Sequence, residues 1–269
     1  MEAKQKKRGV MRDGGSNSLR GRARRFPVHA AYTKIIYLKQ KNSRDQDMNV
    51  DKKAKSLAKY ISTLSDFSYV ESDIPYNPMG ATISDAMLQS GLNYKTVVRP
   101  RVDEILEKYP EAKTTSAFLK ILNEIGPNKL LRWKDSEKPN RILELVNLFI
   151  AEGIENEKQL ENWLKEKKHI ALLDKVRGVG NKTIDYIKLL SGSKSTTAID
   201  RHLLGFISEV GISVNGYSEA KEVISATADL IGRDKSLLDH SIWKYMSEKK
   251  GKRVPCKKHA RNIINAKAF

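Results

Sequence analysis

Residues 173–184 read L-D-K-V-R-G-V-G-N-K-T-I, and this stretch decides the fold of the chain. It joins two short segments, 170–176 and 184–190, whose apolar residues recur at helical spacing. The turn at 178–180 places two glycines around one valine, and glycine allows backbone conformations that other residues avoid. The pattern predicts a helix-hairpin-helix over residues 170–190, with the valine side chain packed into the core between the helices.

The backbone of this turn predicts a phosphate-binding site. The first N–H groups of a helix have no intrahelical acceptor, and together with the turn they form a positive site for an oxyanion. Such a hairpin binds the DNA backbone without reading base sequence. On its own the turn is equally compatible with an ordinary connection between two helices. The expected DNA contacts are Arg177, Gly178, Val179, Gly180, Asn181 and Thr183.

The composition of the 269 residues points to a polyanionic partner. Lys and Arg total 50 against 32 Asp and Glu, which leaves a formal net charge of +18 and favours nucleic acid or an anionic membrane surface. The sequence has no apolar run long enough to span a bilayer, and no apolar segment typical of a secretory signal follows its basic start. We therefore expect a cytoplasmic, nucleoid-associated protein, or a nuclear one in a eukaryote.

Apolar residues at positions i, i+3, i+4 and i+7 predict amphipathic helices along most of the chain. Helix-stop signals follow the predicted helices, at Pro110, Gly126 and Gly153. Residues 35–38 are the one candidate strand, so the predicted fold class is all-α. The four clearest stripes begin at Leu57, Val102, Phe118 and Ile142.

A second motif follows the hairpin, A-I-D-R-H-L at residues 198–203. The succession of G-V-G-N-K-T and A-I-D-R-H-L resembles the helix-hairpin-helix DNA glycosylase superfamily of endonuclease III. Residues 83–89, I-S-D-A-M-L-Q, are similar to an early helix of the adenine DNA glycosylase branch. Residues 238–243, L-D-H-S-I-W, are similar to the last long helix of the superfamily. The resemblance extends over about residues 75–248.

The resemblance implies a two-lobed all-α fold with a DNA-binding cleft between the lobes. A helical barrel lobe would comprise residues 81–196 and contain the hairpin. A terminal helical lobe would combine residues 29–80 with 197–269. Residues 1–28, rich in Lys and Arg and poor in apolar residues, are predicted to form a flexible basic arm.

The resemblance also implies roles for three residues. Lys182 matches the Schiff-base nucleophile of the family, and Asp200 matches the aspartate that stabilises the developing cation. Asp85 matches the position of a catalytic glutamate in the adenine branch. The residues alone leave simpler roles open: a phosphate contact for Lys182, a helix N-cap for Asp200 and a surface acid for Asp85. A nucleophilic lysine must be uncharged, and both burial and a helix N-terminus lower its pKa.

Several side chains around these three are weaker candidates. Gln89, one helical turn after Asp85, is a candidate to fill the gap left by an extruded base. Tyr94, Tyr186 and Trp243 are candidates to stack on that base, although aromatic residues at helical spacing are typical of a core. Ser90 and Gly91 replace the Gln-Thr of the adenine branch, which leaves the target base open.

We expect no metal or cluster cofactor. Many relatives carry four cysteines that bind an iron–sulfur cluster, whereas this chain has only Cys256. By analogy, the carbonyls of Gly178 and Gly180 are a candidate site for a monovalent cation. The basic run 249–261 occupies the place of the cluster segment and is predicted to contact phosphate.

The expected function is base excision repair of double-stranded DNA by a monomeric glycosylase. The enzyme would flip a damaged or mismatched nucleotide out of the helix and excise its base. An associated AP lyase activity would proceed through the lysine Schiff base. The alternatives are a monofunctional glycosylase in which Asp200 activates water, and a DNA-binding module without catalysis.

Overall fold

A computed structural model describes residues 49–71 and 76–249, and the regular structure in these ranges is helical, without a strand. The expectation of an all-α protein is confirmed for this part of the chain. A π-helical turn, Tyr94–Val98, precedes the third helix. The helices are α1 (49–63), α2 (Met79–Leu88), α3 (Arg99–Lys108), α4 (Thr115–Ile125), α5 (Pro127–Leu130), α6 (Glu137–Ala151), α7 (Glu157–Trp163), α8 (Lys167–Leu173), α9 (Asn181–Leu190), α10 (Arg201–Glu209), α11 (Tyr217–Leu230) and α12 (Lys235–Glu248).

Four sequence predictions fall outside these ranges. They are the basic arm 1–28, the candidate strand 35–38, Cys256 and all of the basic run after residue 249. Among the described helices, none is long and apolar enough to cross a membrane. The same residues contain no group of three or more His, Cys, Asp or Glu side chains placed to hold a metal ion.

The four apolar stripes pack inward as their spacing predicts. Leu57, Val102, Phe118 and Ile142, which begin the stripes, are each fully buried. The helix ends also follow local signals. Thr114 caps α4 by accepting from the Ala117 N–H, and α4 ends at Gly126, whose φ of 85° suits glycine.

The buried apolar side chains form two clusters within one compact unit. The first is built from α2 to α9 and contains Phe118 and Phe149. The second joins α1 to α10, α11 and α12 around Phe206. Residues 191–200 lead from the first cluster to the second, with Ile187 packed in one and Ile199 in the other. This connection therefore links the two clusters.

Candidate functional site

The two glycines of the hairpin turn between α8 and α9 differ in their backbone conformation. Gly178 has a φ of +83°, a conformation that residues with a Cβ rarely adopt. Gly180 has an ordinary extended backbone, with φ −123°, and precedes the first residue of α9. Val179 between them is 5% exposed and belongs to the first cluster. The prediction that this valine plugs the core is confirmed.

The turn also rests against a charged residue of α6. A Cβ built on Gly178 would lie 2.5 Å from Nη1 of Arg141, so the guanidinium packs directly against this glycine. Arg141 Nη2 pairs with Glu137 at 2.5 Å, and Nη2 of Arg177 pairs with the same carboxylate at 3.1 Å. Because Arg177 belongs to the turn, this shared carboxylate ties the turn to α6.

The predicted DNA contacts of the turn differ in what they can offer a ligand. Arg177, Gly180 and Asn181 are exposed. Val179 donates its N–H to the Val176 carbonyl at 3.0 Å, so neither this N–H nor its buried side chain faces outward unbonded. Thr183 is 7% exposed. A phosphate contact from Thr183 would therefore come mainly from its backbone, and Val179 has no unbonded N–H to offer one.

A cleft of about 2520 Å³ runs beside the turn and is lined by residues from both clusters. Its walls include the whole turn, 176–184, with Lys182, and Asp200 from the start of α10. Gln89 and the following Ser90 and Gly91 also line it. The cleft therefore brings together the two residues predicted as nucleophile and essential acid.

Lys182 lies in the first turn of α9 with its side chain half-buried. Its Nζ donates to Oε1 of Gln89 at 2.9 Å and lies 5.9 Å from the ring centroid of Tyr186. Burial lowers the pKa of Lys182, and the carboxylates of Asp200, Asp239 and Asp85 oppose this lowering. The direction is the one that a nucleophilic amine requires.

Asp200 is the N-cap of α10, as one of its two predicted roles requires. Its Oδ1 accepts from the backbone N–H groups of His202 at 2.8 Å and Leu203 at 3.0 Å. The cap uses one carboxylate oxygen, which leaves Oδ2 out of these two bonds. A cap of this kind fixes the carboxylate at the helix start, at the wall of the cleft.

Asp239 of α12 holds the segment that leads into Asp200. Its Oδ2 accepts from the Thr197 hydroxyl at 2.6 Å and from the Ala198 N–H at 2.7 Å. Burial raises the pKa of Asp239 to about 7. The sequence contained a signal for this residue, because Asp239 lies three residues before Ile242, which is buried on the same side of α12.

Asp185 of α9 is a further buried acid near the cleft that sequence reasoning missed. Its carboxylate pairs with Lys221 at 2.6 Å and accepts from the Tyr217 hydroxyl at 2.8 Å. It also accepts from the Thr196 hydroxyl at 3.2 Å. These contacts join α9, which carries Lys182, to α11 and to the middle of the connection that leads to Asp200.

Asp85 is fully buried on α2, so its interpretation as a surface acid is wrong. Its Oδ2 accepts from the hydroxyls of Tyr76 at 2.6 Å, Tyr94 at 3.2 Å and Tyr186 at 3.3 Å. Burial raises the pKa of Asp85 to about 6, against the lowering effect of these hydrogen bonds. The three tyrosines line the cleft, whereas Asp85 lies behind them. We call these four residues the tyrosine cluster.

Gln89 lies at the end of α2 and lines the cleft. It is the C-cap residue of α2, and its amide oxygen accepts from Lys182. Its Nε2 is buried without a partner. The turn that carries it is fixed by Lys138, which donates to the carbonyls of Met87, Leu88 and Ser90 at 3.1–3.5 Å.

The aromatic candidates are not simply core residues. Tyr94, Tyr186 and Trp243 are each partly exposed and line the cleft. Trp243 packs edge-on against Tyr94, with ring centroids 5.5 Å apart, and lies 6.0 Å from the ring of His202. Helical spacing alone did not distinguish a cleft-facing ring from a buried one.

The family comparison adds a name without an activity. A model of the domain of unknown function DUF8548 matches residues 76–247, so the chain belongs to that family. No curated protein matches the chain. The matched range contains the hairpin, Lys182, Asp200 and the tyrosine cluster.

Proposed function

We propose that the chain is a DNA glycosylase with associated AP lyase activity, acting on a nucleotide flipped from double-stranded DNA. The observation that carries the proposal is the environment of Lys182. Its amine is half-buried at a helix start, and burial lowers its pKa. It lines the same cleft as Asp200, whose carboxylate caps α10. A two-lobed glycosylase fold, with DNA across this cleft, is part of the proposal.

The hairpin and the net charge of the whole chain support a nucleic-acid ligand. The hairpin presents the N–H groups of the first turn of α9, which suit a phosphate oxygen. The chain carries a net charge of +18, which favours a polyanion. The target C1′ atom is unreachable within stacked DNA, so the nucleotide must leave the helix to meet Lys182.

The chemistry assigns one step to each group. The uncharged Lys182 amine attacks C1′ while the glycosidic C–N bond breaks, and the bonding electrons leave with the base, which takes up a proton. The carboxylate of Asp200 stabilises the positive charge that develops on the sugar and accepts a proton from the attacking nitrogen. The nitrogen lone pair then forms a C=N bond to C1′ while the C1′–O4′ bond breaks and O4′ takes up a proton, which leaves the open sugar on Lys182 as an iminium ion. Loss of a C2′ proton breaks the C3′–O bond, and the 3′ phosphate leaves.

A monofunctional glycosylase is the second candidate. Three carboxylates oppose the lowering of the Lys182 pKa and therefore favour its ammonium form. In that form Lys182 would contact phosphate only, and Asp200 would activate the attacking water. Monomeric action and the absence of a cofactor are proposed for both candidates.

Borohydride trapping on an abasic duplex tests the proposal. The full chain should give a covalent adduct that mass spectrometry locates at Lys182, and Lys182→Ala should abolish it. Lys175→Ala is the matched control, because Lys175 is an exposed lysine in the same cleft. Excision of a base without an adduct would support the monofunctional enzyme. Binding without either product would leave a DNA-binding module and overturn the proposal.

A further inference from the structure

The tyrosine cluster directs three hydroxyl protons toward one carboxylate. Tyr76 and Tyr186 donate to Oδ2 of Asp85, and Tyr94 can donate to the same oxygen or to the Tyr76 hydroxyl, 2.8 Å away. A phenol carries one proton and two acceptor lone pairs. With their protons committed to the cluster, the three hydroxyls have only acceptor sites left for a ligand.

The cluster is also short of donors on its buried side. Oδ1 of Asp85 is buried and has no hydrogen-bond partner. A buried carboxylate oxygen without a partner is costly, so the cluster holds more acceptors than donors. Arg99 is the nearby cation and also lines the cleft; its Nε is paired with Asp103 at 2.6 Å, and its guanidinium is hydrogen-bonded to the Tyr94 hydroxyl. At the Tyr76 and Tyr186 hydroxyls a ligand carbonyl or phosphate would face acceptors, whereas an N–H group would be bonded.

The cluster lies beside the amine of the candidate nucleophile. Lys182 Nζ is 5.9 Å from the ring centroid of Tyr186, and both side chains line the same cleft. A nucleotide whose C1′ faces the Lys182 amine before the reaction would therefore bring its base toward the tyrosines. Asp85 itself does not line the cleft, so it meets a ligand only through the hydroxyls that it holds.

We propose that Tyr76, Tyr94 and Tyr186, oriented by Asp85, form a recognition site for a nucleobase that presents an exocyclic amino group. The inference rests on the proposed glycosylase function and adds the chemistry of the base that enters the cleft. Asp85 is a positioning residue in this site, because it keeps the hydroxyl protons away from the ligand. The tyrosines are the residues that contact the base.

The experiment compares bases that differ only in the amino group. Each duplex carries one mismatched 2′-fluoro nucleotide, because the fluorine slows loss of the base. One pair of duplexes compares adenine with unsubstituted purine, and the other compares cytosine with 2-pyrimidinone; the second base of each pair lacks the amino group. The full chain should bind the amino-bearing duplex of at least one pair about tenfold tighter or more, since a polar site rejects an analogue that lacks its partner. Equal affinities in both pairs would overturn the proposal.

Two variants assign the preference to the cluster. Tyr94→Phe and Tyr186→Phe keep the rings and remove one hydroxyl each, and each should reduce the affinity ratio toward one without weakening the amino-free duplex. Tyr60→Phe is the matched control, because its hydroxyl donates to Glu209 outside the cleft and its loss should leave the ratio unchanged. A ratio retained by both cluster variants would also contradict the proposal.

The result separates this inference from the proposed chemistry. A lysine adduct in the borohydride experiment together with a ratio of one would reject only the recognition site. A clear ratio without an adduct or excision would leave a protein that reads flipped bases without catalysis. The two proposals therefore fail in different experiments.

Discussion

The same substitution should have a large effect at one glycine of the hairpin turn and almost none at the other. Alanine at position 178 must adopt a φ of +83°, which costs about 1–2 kcal/mol for a residue with a Cβ. Its Cβ would also lie 2.5 Å from Nη1 of Arg141, so the guanidinium has to move from its pairing with Glu137. The smaller entropy of the unfolded alanine chain offsets about 0.4–1 kcal/mol. We expect Gly178→Ala to destabilise the protein by about 1–2 kcal/mol.

Gly180→Ala is the matched control. Its φ of −123° is open to any residue, and a Cβ there would have no neighbour within 4 Å. We expect a change within about 0.5 kcal/mol, because the entropic gain is set against a slightly poorer N-cap. Urea denaturation followed by circular dichroism measures both variants. Equal stabilities of the two variants would refute the argument from backbone conformation.

A third variant separates strain from collision. In an Arg141→Ala background the guanidinium is absent, so any remaining cost of Gly178→Ala comes from the positive φ alone. We expect about 1 kcal/mol to remain, and the difference between the two backgrounds measures the collision. If the whole effect disappears with Arg141, the turn tolerates a Cβ at position 178 and glycine is required there only for space.

Three further predictions concern acids and amides around the cleft. Gln89→Glu should raise the pKa of Lys182 by about one unit, because a carboxylate 2.9 Å away stabilises the ammonium by about 1.4 kcal/mol even at the dielectric constant of water. Competitive acylation followed by mass spectrometry measures this pKa. Gln159→Glu is the control, because Gln159 is exposed. Asp200→Asn should lower the rate of single-turnover excision by several orders of magnitude. The melting temperature should stay nearly unchanged, since asparagine also caps helices. Excision near the wild-type rate would show that Asp200 is only a helix cap. Burial raises the pKa of Asp239 from 3.8 to about 7, so the folded protein keeps a proton that the unfolded chain releases, and stability from this group falls as the pH rises from about 4 to 7. Asp239→Asn should flatten that fall in a series of melting temperatures, and an unchanged slope would contradict the assignment.

The sequence predicted the elements whose signals are local. The stripe that begins at Phe118 and the turn at Gly178 depend on residues a few positions apart, and both appear as expected. The cap role of Asp200 is of the same kind, because its acceptor bonds reach only two and three residues along the chain.

The hydrogen-bond partners of Asp85 could not be predicted from such local signals. Tyr186 meets it from 101 positions away along the chain, so no spacing rule connects them. One local clue was present: α2 has no polar face, and Asp85 is the one charged residue between Met79 and Leu88. A helix that is apolar or small on every side is typical of a fully buried one. Applied to α2, that rule would have excluded the interpretation of Asp85 as a surface acid.

The distribution of charge around the cleft bears on the choice between binding and catalysis. A protein that only holds a polyanion gains nothing from carboxylates near the ligand, yet Asp200 and the buried Asp239 line the cleft, and Asp85 and Asp185 are buried behind it. Asp85 and Asp239 are buried against a desolvation cost that raises their pKa values. Negative charge at the wall of the cleft favours a positive charge that appears only during reaction, as on the sugar of a departing base. Asp200→Asn should therefore strengthen or preserve DNA binding while it removes excision. Weaker DNA binding by this variant would show that the carboxylate contributes to affinity for the ligand instead.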